Sequence, residues 1–298
     1  MPLPIEIFFL GTGSSIPSEE RRQAAYVLRR GIDVFLFDCG ESAQLGLQKQ
    51  KISPLKISKI FISHWHADHF AGLLPLIETM HLLGRKTPLE IFAPEASRFV
   101  DGITELSYYG IGFEIRARDC SEEEKKKLFE NSEFEIFSIP VKHSVPACGF
   151  IFSEKPHIKI DAKLAKKFGL EAGPTFAEIK SSGSIKIKNK TINLSDISRI
   201  SLGRKFAYSG DCLPTEEFFK AAAGADLLIH DGTFVEAVEG RAHAAVADVA
   251  ALAKKYSVKK LALVHLSRRY KDTKETLAAA KKVFKNSFVG EDGMKVIL

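Results

Sequence analysis

A strand–loop–helix segment at residues 57–83 constrains the fold of this chain most, because its loop holds four side chains that can bind a metal. Alternate residues of an extended chain point the same way, so His64 and His66 can face one metal ion together. Asp68 and His69 come after the turn and can face a second ion. Burying three imidazoles and a carboxylate between apolar segments would be costly without a metal, so a purely structural role is the weaker interpretation.

The spacing H-x-H-x-D-H in this loop resembles the motif of the metallo-β-lactamase fold hydrolases. Members of that family take further ligands from the ends of separate strands. His143, Asp211 and His265 each follow a short apolar run and stand where a strand gives way to a loop. The resemblance therefore implies seven metal ligands, which are spread over most of the chain.

The composition is that of a globular protein, with 45% hydrophobic and 27% charged residues among 298. No stretch approaches the roughly 20 apolar residues of a membrane span, and no basic segment precedes an apolar one at the N-terminus, so we expect no membrane contact and no signal peptide. The four cysteines lack C-x-x-C spacing, which favours reduced thiols in a cytoplasmic protein over structural disulfides. The length admits one large domain or two.

One segment supplies the whole net charge of +6. Residues 154–205 contain twelve Lys or Arg and five Asp or Glu, a net charge of +7, which leaves −1 for the rest of the chain. The segment has few apolar residues and lies between the His143 and Asp211 motifs. We therefore predict a single domain over residues 1–298, with 154–205 inserted as a basic projection that binds a polyanion. An ordinary basic surface hairpin is the alternative.

Apolar runs and turn signals predict strands in two groups with helices between them. The predicted strands cover residues 5–10, 25–30, 33–37, 57–62, 89–93, 134–141, 148–152, 206–210, 225–229, 260–264 and 294–298. The predicted helices begin at residues 41 and 94 or cover 70–83, 162–168, 244–255 and 273–285. The charge run at 121–127 is interpreted as a solvated helix face. This order fits an α/β, four-layer αββα sandwich, which the resemblance also implies.

Further motifs narrow the resemblance to ribonuclease Z, a family of tRNA 3′ processing endonucleases. Residues 169–180, GLEAGPTFAEIK, resemble the exosite arm of that family, which carries a Gly-Pro and a following Lys. Residues 265–270 are similar to the family's H-x-S-x-R-Y signature, and 230–233, HDGT, are similar to its His-Glu-Ala-Thr motif. Residues 17–22 match the family's Pro-x-Lys-x-Arg-Asn loop only at the Pro and the Arg, which leaves the cleavage position open. His243 is followed by two alanines where the family has Ser-Thr.

The seven ligands imply a dinuclear site with two zinc ions per subunit, although Mn²⁺ also suits this set of nitrogen and oxygen atoms. One ion would be held by His64, His66 and His143, the other by Asp68, His69 and His265, with Asp211 bridging. Asp68 is the candidate general base or the residue that orients the attacking water. Asp38 is expected to accept a hydrogen bond from a ligand histidine or, alternatively, to cap the helix that follows it.

His243 is the candidate general acid for the leaving 3′ oxygen, and Asp231 would fix its tautomer from one methylene further away than the family's Glu. A helix-start residue without chemistry is the alternative for His243, and His230 is the alternative acid. Ser267 and Arg269 are expected to grip phosphates near the cut.

The resemblance implies precursor tRNA as the substrate and a homodimer as the assembly. The residues of the arm that are expected to contact tRNA are Gly173, Pro174, Lys166, Lys167 and Lys180. The products would be a tRNA with a 3′-hydroxyl and a trailer with a 5′-phosphate. Two other functions fit the same fold: hydrolysis of a small phosphodiester or thioester, and nucleic-acid binding by a module with an inert site.

Overall fold

The computed structural model describes residues 3–108, 110–121, 123–187, 190–236, 238, 243–266 and 272–298. The chain forms two compact units. The main unit comprises the residues up to 131 together with 135–152 and 205–298. The basic unit comprises residues 132–134 and 153–204, close to the predicted insertion.

The main unit is built on two seven-stranded sheets, whose strands we number in chain order. In spatial order the first sheet consists of β18 (Lys295–Ile297), β1 (Ile5–Gly11), β2 (Ala25–Arg30), β3 (Asp33–Phe37), β4 (Ile57–Phe61), β5 (Leu89–Ala93) and β6 (Ile115–Asp119). The second sheet consists of β17 (Ser287–Val289), β16 (Leu261–Val264), β15 (Leu227–Asp231), β14 (Lys205–Tyr208), β9 (Cys148–Glu154), β8 (Phe134–Pro140) and β7 (Lys126–Glu130).

Helices lie between these strands in the sequence. They are α1 (Ala43–Lys49), α2 (Ala67–Phe70), α3 (Leu73–Leu82), α4 (Ala96–Glu105), α8 (Glu216–Ala221), α9 (Val246–Lys255) and α10 (Lys274–Val283), with a 3₁₀ turn at Pro54–Lys56. Within the described ranges, no helix is long and apolar enough to cross a lipid bilayer. All four cysteines are described and buried, and none of them forms a disulfide.

Alternate residues of the strands face opposite layers. Phe37 of β3 points toward the second sheet, where its ring centroid lies 6.0 Å from that of Phe150 and 5.3 Å from that of Phe206. Leu36, its neighbour, belongs instead to a buried cluster shared with α1, α3 and α4. Leu228 of β15 belongs to the corresponding cluster with α8, α9 and α10. The order helix, sheet, sheet, helix confirms the predicted αββα sandwich.

Parallel pairing gathers the loops that carry the predicted ligands. β3, β4 and β5 are parallel neighbours in the first sheet, and β14, β15 and β16 are parallel neighbours in the second. The loops after parallel strands emerge at one edge of their sheet. Two residues in these loops, Asp38 and His265, have φ angles of 53° and 55° in the left-handed region that non-glycine residues rarely adopt. Such strain is typical of functional loops.

The helix predicted at residues 70–83 is interrupted between α2 and α3. Gly72 lies at the break, where a Cβ atom would stand 2.2 Å from the carbonyl oxygen of Gly40. The N–H of Gly72 donates to the carbonyl of Cys39 at 2.9 Å. Only glycine allows this close approach of two backbone segments, which ties the histidine loop to the end of β3.

The helix predicted for the charge run at 121–127 is wrong. Among the described residues of this run, Lys126 and Lys127 begin β7, which pairs antiparallel with β8. The ammonium group of Lys125 lies 4.0 Å from the ring centroid of Phe137 in β8. Charge spacing alone therefore did not identify the strand, because its apolar contacts are made by lysine stems and by an aromatic ring on another strand.

The basic unit is better packed than its sequence indicates. Its elements are β10 (His157–Ile160), α5 (Ala162–Lys167), α6 (Pro174–Ser182), β11 (Ser184–Ile187), β12 (Lys190–Asn193), α7 (Leu194–Ile197) and β13 (Ser198–Ser201). β10 pairs with β13, and β11 pairs with β12. The unit has a core of its own, formed by Ile160, Ala165, Leu170, Ile179, Ile192 and Ile197. The few apolar residues of this segment are thus enough to form a local core.

Candidate metal centre

Aromatic stacking fixes the histidine loop on both sides. At the end of β4, the ring of Phe61 stacks on that of Phe92 with centroids 5.1 Å apart. Within the loop, the ring of Trp65 stacks on Phe99 of α4 with centroids 4.6 Å apart. The indole N–H of Trp65 donates to the carbonyl of Pro94 at 2.5 Å. These contacts hold the backbone at Trp65, between His64 and His66.

The first cluster consists of three histidines from two loops, His64, His66 and His143. Nε2 of His64 lies 3.0 Å from Nδ1 of His66, and Nε2 of His143 lies 3.2 Å from the same atom. Nitrogen atoms about 2.0 Å from a tetrahedral metal ion are about 3.3 Å apart, so this spacing fits one ion. Burial lowers the pKa of His64 well below its usual value and also lowers the pKa of His66. Both imidazoles are therefore neutral at pH 7 and have a lone pair for a metal.

The second cluster joins side chains from both sheets: Asp68, His69, Asp211 and His265. Oδ2 of Asp211 lies 2.9 Å from Nε2 of His265 and 3.3 Å from Nε2 of His69. Oδ2 of Asp68 lies 3.1 and 3.4 Å from the same two nitrogens. The ring centroids of His64 and His69 are 4.2 Å apart, so the two clusters adjoin.

Opposite charges dominate the second cluster. Burial alone would lower the pKa of its imidazoles, but the Asp211 carboxylate raises the pKa of His265 to about 10 and that of His69 well above its usual value. Burial alone would raise the pKa of the two carboxyl groups. The two histidines nevertheless hold the pKa of Asp211 well below its usual range and also lower that of Asp68. A metal ion would replace the protons that these imidazoles carry.

The surroundings of one atom, Nε2 of His69, indicate whether a metal fits the second cluster. Nε2 of His69 is buried, faces the two carboxylates and makes no hydrogen bond to any described residue. Nδ1 of His69 donates to Asp38 at 2.6 Å, so Nε2 is the nitrogen that can bind a metal once the metal replaces its proton. The predicted hydrogen bond between Asp38 and a ligand histidine is present. The alternative capping role is wrong, because Ser42 occupies the N-cap of α1.

His243 adjoins both clusters. Its ring stacks on that of His265 with centroids 5.3 Å apart, and it lies at the same distance from the ring of His143. Nδ1 of His243 is 2.9 Å from Oδ2 of Asp231, so the shorter carboxylate still reaches it. The side chain of His243 is 24% exposed, whereas Asp231 is fully buried. The Asp231 carboxylate can therefore accept from Nδ1 of His243 and fix the orientation of its ring.

His230, the alternative acid, is completely buried. Its ring is stacked on Phe219 with centroids 5.2 Å apart, and Nδ1 donates to its neighbour's carbonyl oxygen at 2.9 Å. Burial lowers its pKa. This enclosed and hydrogen-bonded ring suits a buried structural role.

Known proteins resemble the chain over nearly its whole length. The ribonuclease Z of Methanosarcina acetivorans is 35% identical over 98% of this chain and 97% of its own length. The chain belongs to the ribonuclease Z family. Human tRNase Z, short form, is similar in structure, with a TM-score of 0.70 and 28% identity over 98% of both chains. The metallo-β-lactamase fold protein YhfI of Bacillus subtilis has a TM-score of 0.71 at 17% identity, covering 99% of this chain and 100% of its own. Residues 5–99 also match the family model of the anti-Pycsar protein Apyc1.

In this ribonuclease Z family member, the residues 17–22 depart from the family's Pro-x-Lys-x-Arg-Asn loop, and the structure shows how they are used. Arg21 donates to the hydroxyl of Thr12 and to the carbonyl of Gly290, each at 2.7 Å. Arg22 donates to the carbonyl of Leu10 at 2.9 Å and pairs with Asp292 at 3.3 Å. Both guanidinium groups bind the protein itself. The backbone carbonyl of Thr12 in turn accepts from the N–H of His265 at 3.0 Å, so the loop supports the metal centre.

The predicted substrate residues are found in three settings. Ser267 and Arg269 lie outside the described residues. Gly173 and Pro174 begin α6 and are exposed. The three lysines of the prediction, Lys166, Lys167 and Lys180, are exposed on α5 and α6 of the basic unit.

Sequence reasoning missed two hydroxyl groups that orient the candidate ligands. The Ser63 hydroxyl lies 3.0 Å from Nδ1 of His64. The Thr233 hydroxyl donates to Oδ1 of Asp231 at 2.5 Å and lies 3.0 Å from Nδ1 of His265, from which it can accept. That bond leaves Nε2 of His265 free for a metal. Ser63 adjoins the histidine motif in the sequence, but nothing in its residue type distinguishes it.

Proposed function

We propose that this ribonuclease Z family member is a zinc-dependent endoribonuclease that removes the 3′ trailer from precursor tRNA. The cut would leave a 3′-hydroxyl on the tRNA and a 5′-phosphate on the trailer. The observation that carries the proposal is the adjacency of two donor clusters, each sized for one ion, with His243 beside both. Two neighbouring metal sites and a proton donor are the elements that phosphodiester hydrolysis requires.

The residues present suit two zinc ions. His64, His66 and His143 would hold one ion, and Asp68, His69 and His265 the other, with Asp211 shared between them. Bound zinc would lower the pKa of a water molecule and offset negative charge on the phosphate. Asp68 would orient that water and accept its proton, because its carboxylate lies at the second cluster, 3.4 Å from Nε2 of His69 and 3.1 Å from Nε2 of His265.

His243 would donate the proton to the leaving 3′ oxygen. Asp231 accepts from its Nδ1–H at 2.9 Å and would hold the ring while Nε2 carries the proton that is transferred. Thr233 supports this pair, since its hydroxyl donates to the other oxygen of the same carboxylate. Ser267 and Arg269 would contact phosphates near the cut.

Substrate binding would rely on charge outside the main unit. The exposed Lys166, Lys167 and Lys180, with Gly173 and Pro174 beside them in sequence, form the arm that would bind the tRNA backbone. Contacts of this kind are salt-sensitive and carry little sequence information. We further propose that the protein acts in the cytoplasm as a homodimer, as the family resemblance implies.

Cleavage of a precursor tRNA with a 3′ trailer tests the function. Zinc-loaded protein and an Asp68→Ala variant are compared, and both product ends are mapped. A single cut near the discriminator base that is lost in the variant supports the proposal. Absence of cleavage together with rapid hydrolysis of bis(p-nitrophenyl) phosphate would overturn it in favour of a small-molecule hydrolase.

A further inference from the structure

The carboxylate of Asp38 is fully buried and accepts four hydrogen bonds. Oδ1 accepts from the backbone N–H of Ser63 at 2.7 Å, and Oδ2 accepts from the hydroxyl of the same residue at 2.8 Å. Oδ2 also accepts from Nδ1 of His69 at 2.6 Å. The fourth donor is the hydroxyl of Tyr208, which binds the same Oδ2. Tyr208 and a candidate metal ligand thus share one acceptor atom.

The hydrogen bond from Tyr208 to Asp38 connects the two sheets of the main unit. Tyr208 is the last residue of β14 in the second sheet, and Asp38 directly follows β3 in the first. Two further contacts join the sheets at this point. The N–H of Cys148 donates to the carbonyl of Ser63 at 2.9 Å, and a Cβ atom on Gly210 would stand 2.6 Å from that of Ser63.

The same short segment supplies a candidate ligand of the second cluster. Asp211 follows Tyr208 by three residues, while His69 and Asp68 come from the first sheet. Relative placement of these ligands therefore depends on how the two sheets meet beside Asp38. A hydrogen bond made across that junction fixes both halves of the cluster at once.

We propose that Tyr208 is a positioning residue for the second metal cluster. By donating to Asp38, it holds that carboxylate where it receives the Nδ1–H of His69, and so keeps Nε2 of His69 directed at Asp68 and Asp211, where it can bind a metal. The inference rests on the metal site of the proposed function, but it does not depend on which phosphodiester is the substrate.

Removal of the Tyr208 hydroxyl takes away one of the three donors to Oδ2 of Asp38. The buried carboxylate then accepts one hydrogen bond fewer and can turn away from His69. His69 can then adopt the other tautomer, whose Nε2–H donates to a neighbouring carboxylate and cannot bind a metal. Loss of such a supporting partner typically weakens metal binding by about 10- to 100-fold.

The chain offers a matched control in Tyr26. This tyrosine is also fully buried, and its ring centroid lies 5.0 Å from that of Tyr208. Its hydroxyl makes no hydrogen bond to any described residue. Tyr26→Phe and Tyr208→Phe therefore remove the same atom from the same core, and only the second change removes a donor to Asp38.

The test is zinc affinity, measured by competition with a chromophoric chelator, for the full-length wild type and both variants. We expect Tyr208→Phe to bind one of its two zinc ions about 10- to 100-fold more weakly, and Tyr26→Phe to bind both like wild type. Thermal unfolding of the metal-free proteins measures any general loss of packing. Unchanged zinc affinity in Tyr208→Phe would overturn the proposal, whatever its unfolding temperature.

A measurement on the wild type covers the case in which Tyr208→Phe does not fold. In ¹⁵N-histidine spectra, the zinc-loaded protein should show His69 protonated on Nδ1, and the opposite tautomer would overturn the proposal. Failure of the proposal for Tyr208 is distinguishable from failure of the proposed function. A wild type that binds zinc but does not cut precursor tRNA removes the substrate assignment and leaves the role of Tyr208 intact.

Discussion

The two clusters should differ in the protons that they release when zinc binds. Metal binding requires unprotonated imidazole, so a histidine that carries a proton must lose it. His64 and His66 are already neutral at pH 7, because burial lowers the pKa of each. In the second cluster, Asp211 raises the pKa of His265 to about 10 and also raises that of His69.

The magnitude follows from these directions. A group with a pKa of about 10 is almost fully protonated at pH 7, so His265 should release about one proton and His69 up to one more for each ion bound. The logarithm of zinc affinity at the second cluster should then rise by about 1 to 2 for each pH unit between pH 6 and pH 8. At the first cluster, where the imidazoles of His64 and His66 are already neutral, we expect zinc affinity to depend much less on pH.

Titration calorimetry measures proton release from the dependence of the observed enthalpy on the ionisation enthalpy of the buffer. His66→Ala leaves the second cluster intact, and His265→Ala leaves the first. Protons lost from zinc-bound water contribute in both variants, so the difference between them is the decisive quantity. We expect His66→Ala to release about one to two protons more per ion than His265→Ala. Equal release in the two variants would refute the electrostatic argument.

The same shift determines how the stability of the metal-free protein depends on pH. His265 has a folded pKa raised above its unfolded value near 6.5, so its ion pair with Asp211 contributes stability that is fully present below that value. The contribution is lost as the pH rises toward about 10. Urea unfolding of metal-free protein across this range should therefore show falling stability, and zinc should remove the dependence.

Further outcomes are expected for substitutions at four sites. Gly224→Ala, at a φ of 70° in open space, should cost about 1–2 kcal/mol in urea unfolding. Gly210→Ala, at a φ of 63° and against Ser63, should cost more than that and also weaken zinc binding. His243→Ala should lower kcat for precursor tRNA by about 10²- to 10⁴-fold with zinc content unchanged. Substituting Ala for Lys166 and Lys167 together should raise KM for tRNA and reduce its salt dependence, while turnover of a small phosphodiester stays constant.

The sequence predicted the candidate ligands because each lies in a segment that follows an apolar strand. Strand ends are recognisable from short apolar runs, and parallel strands bring such ends together. The contacts that orient the ligands were not predictable in this way. Tyr208 and Asp38 are 170 positions apart, and their hydrogen bond depends on how two sheets pack face to face. No local pattern contains that information.

Predictions also failed where an element has few apolar residues of its own and packs against residues of other elements. The charge run at 121–127 predicts a solvated helix face, but Lys126 and Lys127 belong to a strand. The ring that contacts Lys125, Phe137, lies on another strand. The core of the basic unit was missed because its short helices contribute only one buried residue each, such as Ala165 in α5 and Ile179 in α6. A helix of six to nine residues with one buried position shows no apolar period.

Neither sheet alone can complete either cluster. His64 and His66 leave the first sheet, but the third histidine of their cluster, His143, follows β8 of the second. Asp68 and His69 likewise meet Asp211 and His265 only when the two sheets are packed together. A metal ion bound by both halves would therefore stabilise the sandwich, and the packing of the sandwich would set its affinity. The contacts of Ser63 with Cys148 and of Asp38 with Tyr208 join the two sheets beside the ligands, which is where this coupling acts.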